Sequence, residues 1–126
     1  MKAGNRVIPS GDIKLGGSKH VASAVLQMNK KFPQIRSGIN IKYNEKILKR
    51  LKQKHFKITS YNRKKEPPSF KNKENSSIIW GINSVTKDTL KPFDAIFHKG
   101  DFGKEPMIII FGKNPHDVVG KIVQIF

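Results

Sequence analysis

The longest apolar run, Met107 to Phe111, spans five residues, and it constrains the fold more than any other feature of the chain. Such a run cannot cross a bilayer, which takes ~20 apolar residues, but it has the length of a buried strand. A strand with no polar face must be covered, and the rest of the chain offers helical and extended stretches in alternation.

Ser18 to Lys31 reads as a helix, with Val21, Ala22, Val25, Leu26 and Met28 on one stripe and Ser18 as N-cap after two glycines. Ile39 and Ile41 alternate with Asn40 and Lys42 as a short strand. Asn44 then caps a second helix whose Ile47, Leu48 and Leu51 repeat at helical spacing. Phe56, Ile58 and Ser60 continue as a strand, and the prolines of Arg63 to Pro68 predict a loop there. A third helix runs from Asn75 to Lys87, with Ile78, Ile79, Ile82 and Val85 inward. Phe93 to Phe97 and Met107 to Phe111 are strands joined by a glycine-rich segment. Asn114 caps a last helix that opens on Pro115 and carries Val118, Val119, Ile122 and Val123. The alternation predicts an α/β domain, a sheet covered by helices on one or both faces. Arg6, Val7 and Ile8 read as the middle of a sheet rather than the edge of a domain. The expectation is therefore a single domain over residues 1–126, a fragment of a longer chain.

The charge balance, 25 Lys+Arg against 9 Asp+Glu for a formal net charge of +16, would attract any polyanion and does not choose among them. Arg is scarce, no recognition motif interleaves it with aromatics, and nucleic acid is therefore not the expected partner. With no Cys the chain has no disulfide, no thiolate zinc site and no cysteine nucleophile. A cytoplasmic protein without a membrane span is the default expectation.

Two stretches carry candidate chemistry. In Gly16-Gly17-Ser18-Lys19-His20, consecutive glycines bring backbone N–H groups close to a ligand where a helix begins, which suits an anion. Lys19 adds a point charge and His20 a proton donor; a plain helix start with an exposed His is the competing reading. In the Gly100 to Met107 loop a Lys and two carboxylates precede the apolar strand, where a solvated hairpin connection competes. Glu66-Pro67 and Glu105-Pro106 repeat one pattern, and two such loops side by side would offer a carboxylate pair to Mg²⁺; chance recurrence explains the repeat equally well.

Taken in order, Gly16 to Ala22 (GGSKHVA), Arg36 to Tyr43 (RSGINIKY), Arg63 to Pro68 (RKKEPP), Ser77 to Gly81 (SIIWG) and Gly100 to Gly112 (GDFGKEPMIIIFG) resemble the ThiN-type thiamine-phosphate synthase domain of archaea and some bacteria. The resemblance implies an aldolase-like, three-layer α/β/α sandwich with a mixed, mostly antiparallel sheet. It also implies a reaction in which hydroxymethylpyrimidine diphosphate and thiazole phosphate condense to thiamine phosphate and diphosphate, with Mg²⁺ expected alongside the diphosphate. By motif, the catalytic residues fall on Arg6 and His20. Gly16, Gly17, Ser18, Lys19, Arg36, Asn40, Arg63, Lys104 and Glu105 fall to substrate and phosphate binding. Asn62 and His98 stand where acidic residues are common in the family, and Trp80 and Met107 read as core beside apolar runs. His55 and His116 match nothing and read as surface residues. The implied partners are small phosphorylated substrates, a fused N-terminal kinase domain and a second copy in a homodimer. The alternative is a non-catalytic domain that senses thiamine phosphate in a regulator; retention of Arg6 and His20 favours the enzyme.

Overall fold

The structure, a computed structural model, describes residues 2–71, 76–101 and 103–126. Asn75 and Phe102, which figure in the sequence reading, lie outside them. In chain order the elements are β1 (Lys2–Ala3), β2 (Arg6–Val7), α1 (Lys19–Lys31), β3 (Ser37–Lys42), α2 (Glu45–Gln53), β4 (Ile58–Ser60), a 3₁₀ turn (Arg63–Lys65), α3 (Pro68–Lys71), α4 (Ser76–Thr86), β5 (Ala95–His98), β6 (Met107–Gly112) and α5 (Pro115–Ile125).

Four of the strands form a mixed sheet in the order β3-β6-β5-β4. Strand β6 pairs antiparallel with β3 and β5, and β4 pairs parallel with β5. The all-apolar Met107–Phe111 run is thus an inner strand, and its alternate side chains face opposite ways. Ile109 and Phe111 pack with Ile96, with Ala24 and Met28 of α1, and with Ile78 and Ile82 of α4. Ile108 and Ile110 pack with Ala95, with Ile47, Leu48 and Leu51 of α2, and with Val118 and Ile125 of α5. Full burial of an Ile or Leu side chain is worth about 1.5–3 kcal/mol, so these two clusters supply most of what holds the helices to the sheet.

The expected caps form. The Asn44 side chain accepts from the Lys46 N–H at 2.8 Å, and Asn114 accepts from Asp117 N–H at 2.8 Å with Pro115 opening α5. Ser18 accepts from Val21 N–H at 3.4 Å, the long end of such a bond.

Four expectations need correction. Arg6 and Val7 are not inside the main sheet. They pair only with β1, in a separate exposed hairpin. Gly4, at φ +59, gives its two-residue loop the left-handed backbone it needs, and Pro9 removes a donor just beyond. The Arg63–Pro68 stretch is not an open loop: Asn62 caps a 3₁₀ turn by accepting from Lys64 N–H at 2.9 Å, and Pro68 opens α3, a position that suits its missing N–H. On α1 the buried stripe runs through Ala24 and Met28, leaving Ala22 and Leu26 exposed. On α5, Val118 and Ile125 face inward while Val119 and Val123 are exposed. In both helices apolar residues outnumber what one neighbouring face can cover.

Among the described residues no helix is long and apolar enough to cross a membrane.

Candidate functional site

The site is built at one end of the sheet by strand register. Strand β5 ends on His98, which is paired with Met107 of β6, and Met107 is paired with Lys42 at the end of β3. Residues directly opposite in a ladder share a face. Beyond the end of β4, Tyr61 donates its N–H to Phe97 carbonyl at 3.2 Å and lays its ring 5.4 Å from the His98 imidazole. Trp80 of α4 meets the Tyr61 ring edge-on at 6.1 Å. Gly81 of α4 lies against the same ring, where a Cβ would collide with it. Tyr61 is therefore clamped between α4 and His98, and burial pushes its phenol up to about 12.

Around this row stand several polar groups of unusual burial. His98 is only 2% exposed; its Nδ1 accepts from the Gly100 N–H at 3.1 Å, and its Nε2 is buried with no hydrogen-bond partner among the described residues. Arg63, held by the 3₁₀ turn, is 8% exposed and its Nε is equally unpartnered. His20, half-buried in the first turn of α1, likewise has an unpartnered, buried Nε2. Glu66 closes the 3₁₀ turn, is buried, and accepts from the Ser77 hydroxyl at 2.6 Å.

The electrostatics link these groups. Burial, then the Arg63 charge, then Lys104 hold the His20 imidazole below its ordinary pKa. Burial, then Arg63, then His20 hold His98 down at about 4. Both histidines are therefore neutral at neutral pH. Lys104 is presented by a tight turn in which Asp101 and Lys104 exchange backbone hydrogen bonds of 3.3 and 2.8 Å. Gly100, at φ +82, enters that turn where a Cβ would run into the Lys104 carbonyl oxygen.

The structure thus brings His20, Arg63 and Lys104 together, although their motifs are far apart in sequence. Gly16, at φ +71, and Gly17, Ser18 and Lys19 lead into His20; Ser18 caps α1, and these four are exposed. Asn40 and Glu105 line a neighbouring cavity of about 550 Å³ at the same end of the sheet, with Lys42 and Met107. A second cavity of about 340 Å³ lies beside Tyr61, Asn62, Arg63 and Gly100. Arg6 sits on the exposed β1–β2 hairpin. Arg36 precedes β3 at the opposite end of the sheet, where its N–H bonds the Gly112 carbonyl, roughly 20 Å along the strand from Lys42. Trp80 and Met107 pack on the core as expected, and His55 and His116 are exposed. The residue missed in sequence is His98. No linear signal marks it, because its place is set by strand register with Met107 and by the Gly100 amide.

Among the described residues, the donors at this site do not fit a resident Mg²⁺. Among the described residues no three His, Asp or Glu side chains group together. Glu66 is held by Ser77, and Glu105 lines the other cavity. A divalent cation wants several oxygen ligands, whereas this site converges nitrogen donors.

Buried, unpartnered nitrogens beside the charges of Arg63 and Lys104 suit an oxyanion. The sequence profile described as Thiamine-phosphate synthase ThiN matches residues 1–124. The chain belongs to the ThiN thiamine-phosphate synthase family. It is 33% identical over 120 residues to a protein named Thiamine-phosphate synthase ThiN of Methanothermobacter thermautotrophicus, covering 95% of this chain and 63% of that protein. It is 40% identical over 112 residues to the Bifunctional thiamine biosynthesis protein ThiDN of Methanocaldococcus jannaschii, covering 89% of this chain and 25% of that one. Among solved structures, the C-terminal domain of a phosphomethylpyrimidine kinase superposes with a TM-score of 0.90 at 40% identity, covering 99% of this chain and 70% of that chain. The chain thus spans less than two thirds of the length of either curated relative.

Proposed function

We propose that this chain is a thiamine-phosphate synthase that joins hydroxymethylpyrimidine diphosphate to thiazole phosphate. In this reaction the thiazole nitrogen forms a bond to the exocyclic carbon of the pyrimidine, the carbon–oxygen bond to diphosphate breaks, and the electron pair leaves with diphosphate. The protein's task is to hold two anionic substrates in line and to stabilise charge growing on the departing oxygens. The observation that carries this reading is that His20, in the first turn of the glycine-led α1, has a buried Nε2 without a partner and feels the charges of both Arg63 and Lys104. Buried donors fixed before the reaction stabilise a developing oxyanion without the reorganisation that water would need.

In the proposal, Gly16, Gly17, Ser18 and Lys19 approach a phosphate, and His20 donates to the leaving diphosphate. Asn40 and Glu105 face the heterocycle side of the neighbouring cavity, and Arg36 stays a substrate-binding candidate by motif alone. Arg6 binds phosphate from the β1–β2 hairpin. A homodimer would deliver it, and the exposed Val7, Ile13 and Leu15 around that hairpin offer the apolar surface for one. Mg²⁺, in this reading, travels on the diphosphate oxygens. The three-layer, aldolase-like architecture belongs to the same proposal and is supported by the two apolar clusters that sandwich the sheet. So do a fused kinase domain, as the name of the bifunctional relative suggests, and a cytoplasmic location.

The test is to mix the purified chain with both heterocyclic phosphates and Mg²⁺ and to follow thiamine phosphate by fluorescence after oxidation. The wild type should form product. His20→Ala should lose at least about a hundredfold in turnover, the range for removing one oxyanion donor, with its melting temperature unchanged. No product from the wild type, or wild-type turnover by His20→Ala, would overturn the reading.

A further inference from the structure

We infer that His98 is a fixed hydrogen-bond donor for a phosphoryl oxygen, held in its Nε2–H form by the backbone amide of Gly100. The inference rests on the proposed handling of phosphorylated substrates and adds a residue that the family motifs do not supply.

A backbone N–H can only donate, so His98 Nδ1, which receives the Gly100 N–H at 3.1 Å, must be the unprotonated nitrogen. The proton of the neutral ring then sits on Nε2. That atom is buried, on a residue 2% exposed, and has no partner among the described residues. A buried N–H left unpaired is costly, and native proteins carry few of them. Here there is a group: Arg63 Nε, on a side chain 8% exposed, and His20 Nε2 are orphaned as well. Tyr61, whose ring lies 5.4 Å from the His98 imidazole, lines one cavity with Arg63 and Gly100, and the Arg63 charge acts on both histidines, so the orphans belong to one site.

Such a set excludes most ligands. A cation is repelled by Arg63, and an apolar group would leave all the donors unpaired. An unprotonated oxygen of a phosphate or diphosphate satisfies them together. His98 suits this place because it is neutral: it adds a directed donor without adding a second buried charge beside Arg63. Gly100 is the positioning residue for both halves of the arrangement. Its amide sets the His98 tautomer, and its missing Cβ makes room for the Lys104 carbonyl. One glycine thus couples the buried donor to the turn that presents the exposed Lys104.

The oxygen could belong to the diphosphate of one substrate or to the single phosphate of the other, and the experiment separates them. Imidazole ¹⁵N chemical shifts of the wild type at pH 7 should report His98 as the Nε2–H tautomer; the Nδ1–H tautomer or an imidazolium would overturn the inference without any variant. Calorimetry with inorganic phosphate and with diphosphate then compares two substitutions. His98→Asn keeps an acceptor for the Gly100 amide but has no N–H that reaches the Nε2 position, and should weaken binding by about ten- to hundredfold, as for a hydrogen bond to a charged group. His98→Gln keeps an N–H near the Nε2 position and should bind within about fivefold of wild type. Loss confined to diphosphate, or confined to phosphate, supports the inference and identifies which group His98 serves. Undiminished binding of both anions by His98→Asn would overturn the inference and leave the proposed reaction standing. Failure of the wild type to bind either anion would overturn both.

Discussion

The two ends of the four-stranded sheet treat polar groups in opposite ways. At the end where β4 and β5 begin, every notable polar side chain has a job inside the protein. Asp94 accepts from Lys57 N–H at 2.7 Å and pairs with Lys121 at 2.9 Å. Lys121 also donates to the Phe111 carbonyl at 2.6 Å, and Asp117 accepts from Lys113 N–H at 2.8 Å. At the end where β5 stops, Arg63, His20 and His98 each have a buried nitrogen that nothing among the described residues satisfies. The first end is closed by its own groups and serves stability. The second carries a desolvation cost that a bound oxyanion would offset. The difference teaches that the site is marked less by its charge, which is spread over the whole surface, than by buried donors without acceptors.

The contrast can be broken most severely by pH. His98 has a folded pKa of about 4 against an ordinary 6.5, so its neutral form is favoured by folding. That contribution is complete above pH 6.5 and is lost as pH falls from 6.5 through 4, amounting to on the order of 3 kcal/mol, with His20 acting in the same direction. Urea denaturation at pH 7 and pH 4 should show this loss in the wild type and a much smaller one in His98→Asn. Equal pH profiles would remove His98 from its buried, neutral role.

Next in size is Arg63→Met. Replacing a buried charge with an apolar side chain of similar length should leave stability unchanged or raise it by about 1 kcal/mol, because the guanidinium is not fully compensated inside the protein. Diphosphate affinity should fall about a hundredfold, near 2.7 kcal/mol, measured by calorimetry. Asp94→Ala should do the reverse at the other end. It removes a bond to Lys57 N–H and the partner of a mostly buried Lys121, and should cost about 2 kcal/mol in urea denaturation without altering diphosphate affinity. If both substitutions moved stability and binding together, the division between the two ends would fail.

The smallest effect sharpens the comparison. His55, just past the C-terminus of α2, has φ 61, the left-handed backbone that favours glycine. It lies towards the satisfied end and has strain rather than an unmet donor. His55→Gly should raise stability by about 1 kcal/mol, read as an increase in melting temperature, and leave diphosphate binding untouched.

Much of the fold was legible because it is local. Asn44, Asn114-Pro115 and Ser18 announce helix starts through side chains that reach a backbone N–H two or three residues on, and Met107–Phe111 announces an inner strand. The first hairpin was misread because Arg6-Val7-Ile8 has the composition of a sheet strand, while its pairing depends on the left-handed turn at Gly4. The buried stripe of α1 was misplaced because Ala22 and Leu26 are as apolar as Ala24 and Met28, and only the sheet decides which pair faces it. His20, Arg63 and Lys104 were readable as members of separate motifs. His98 was not, because its role comes from register with Met107, from the Tyr61 ring and from the Gly100 amide, none of which a linear pattern displays.

The most direct test of the satisfied-end and unsatisfied-end account uses the chain's four histidines as built-in reporters. Diphosphate is titrated into histidine-¹⁵N-labelled protein while all four imidazoles are followed by NMR. The account requires the His20 and His98 signals to shift together and saturate at one stoichiometric equivalent, with His55 and His116 unmoved. Saturation at His55 or His116 with His20 and His98 silent would contradict it.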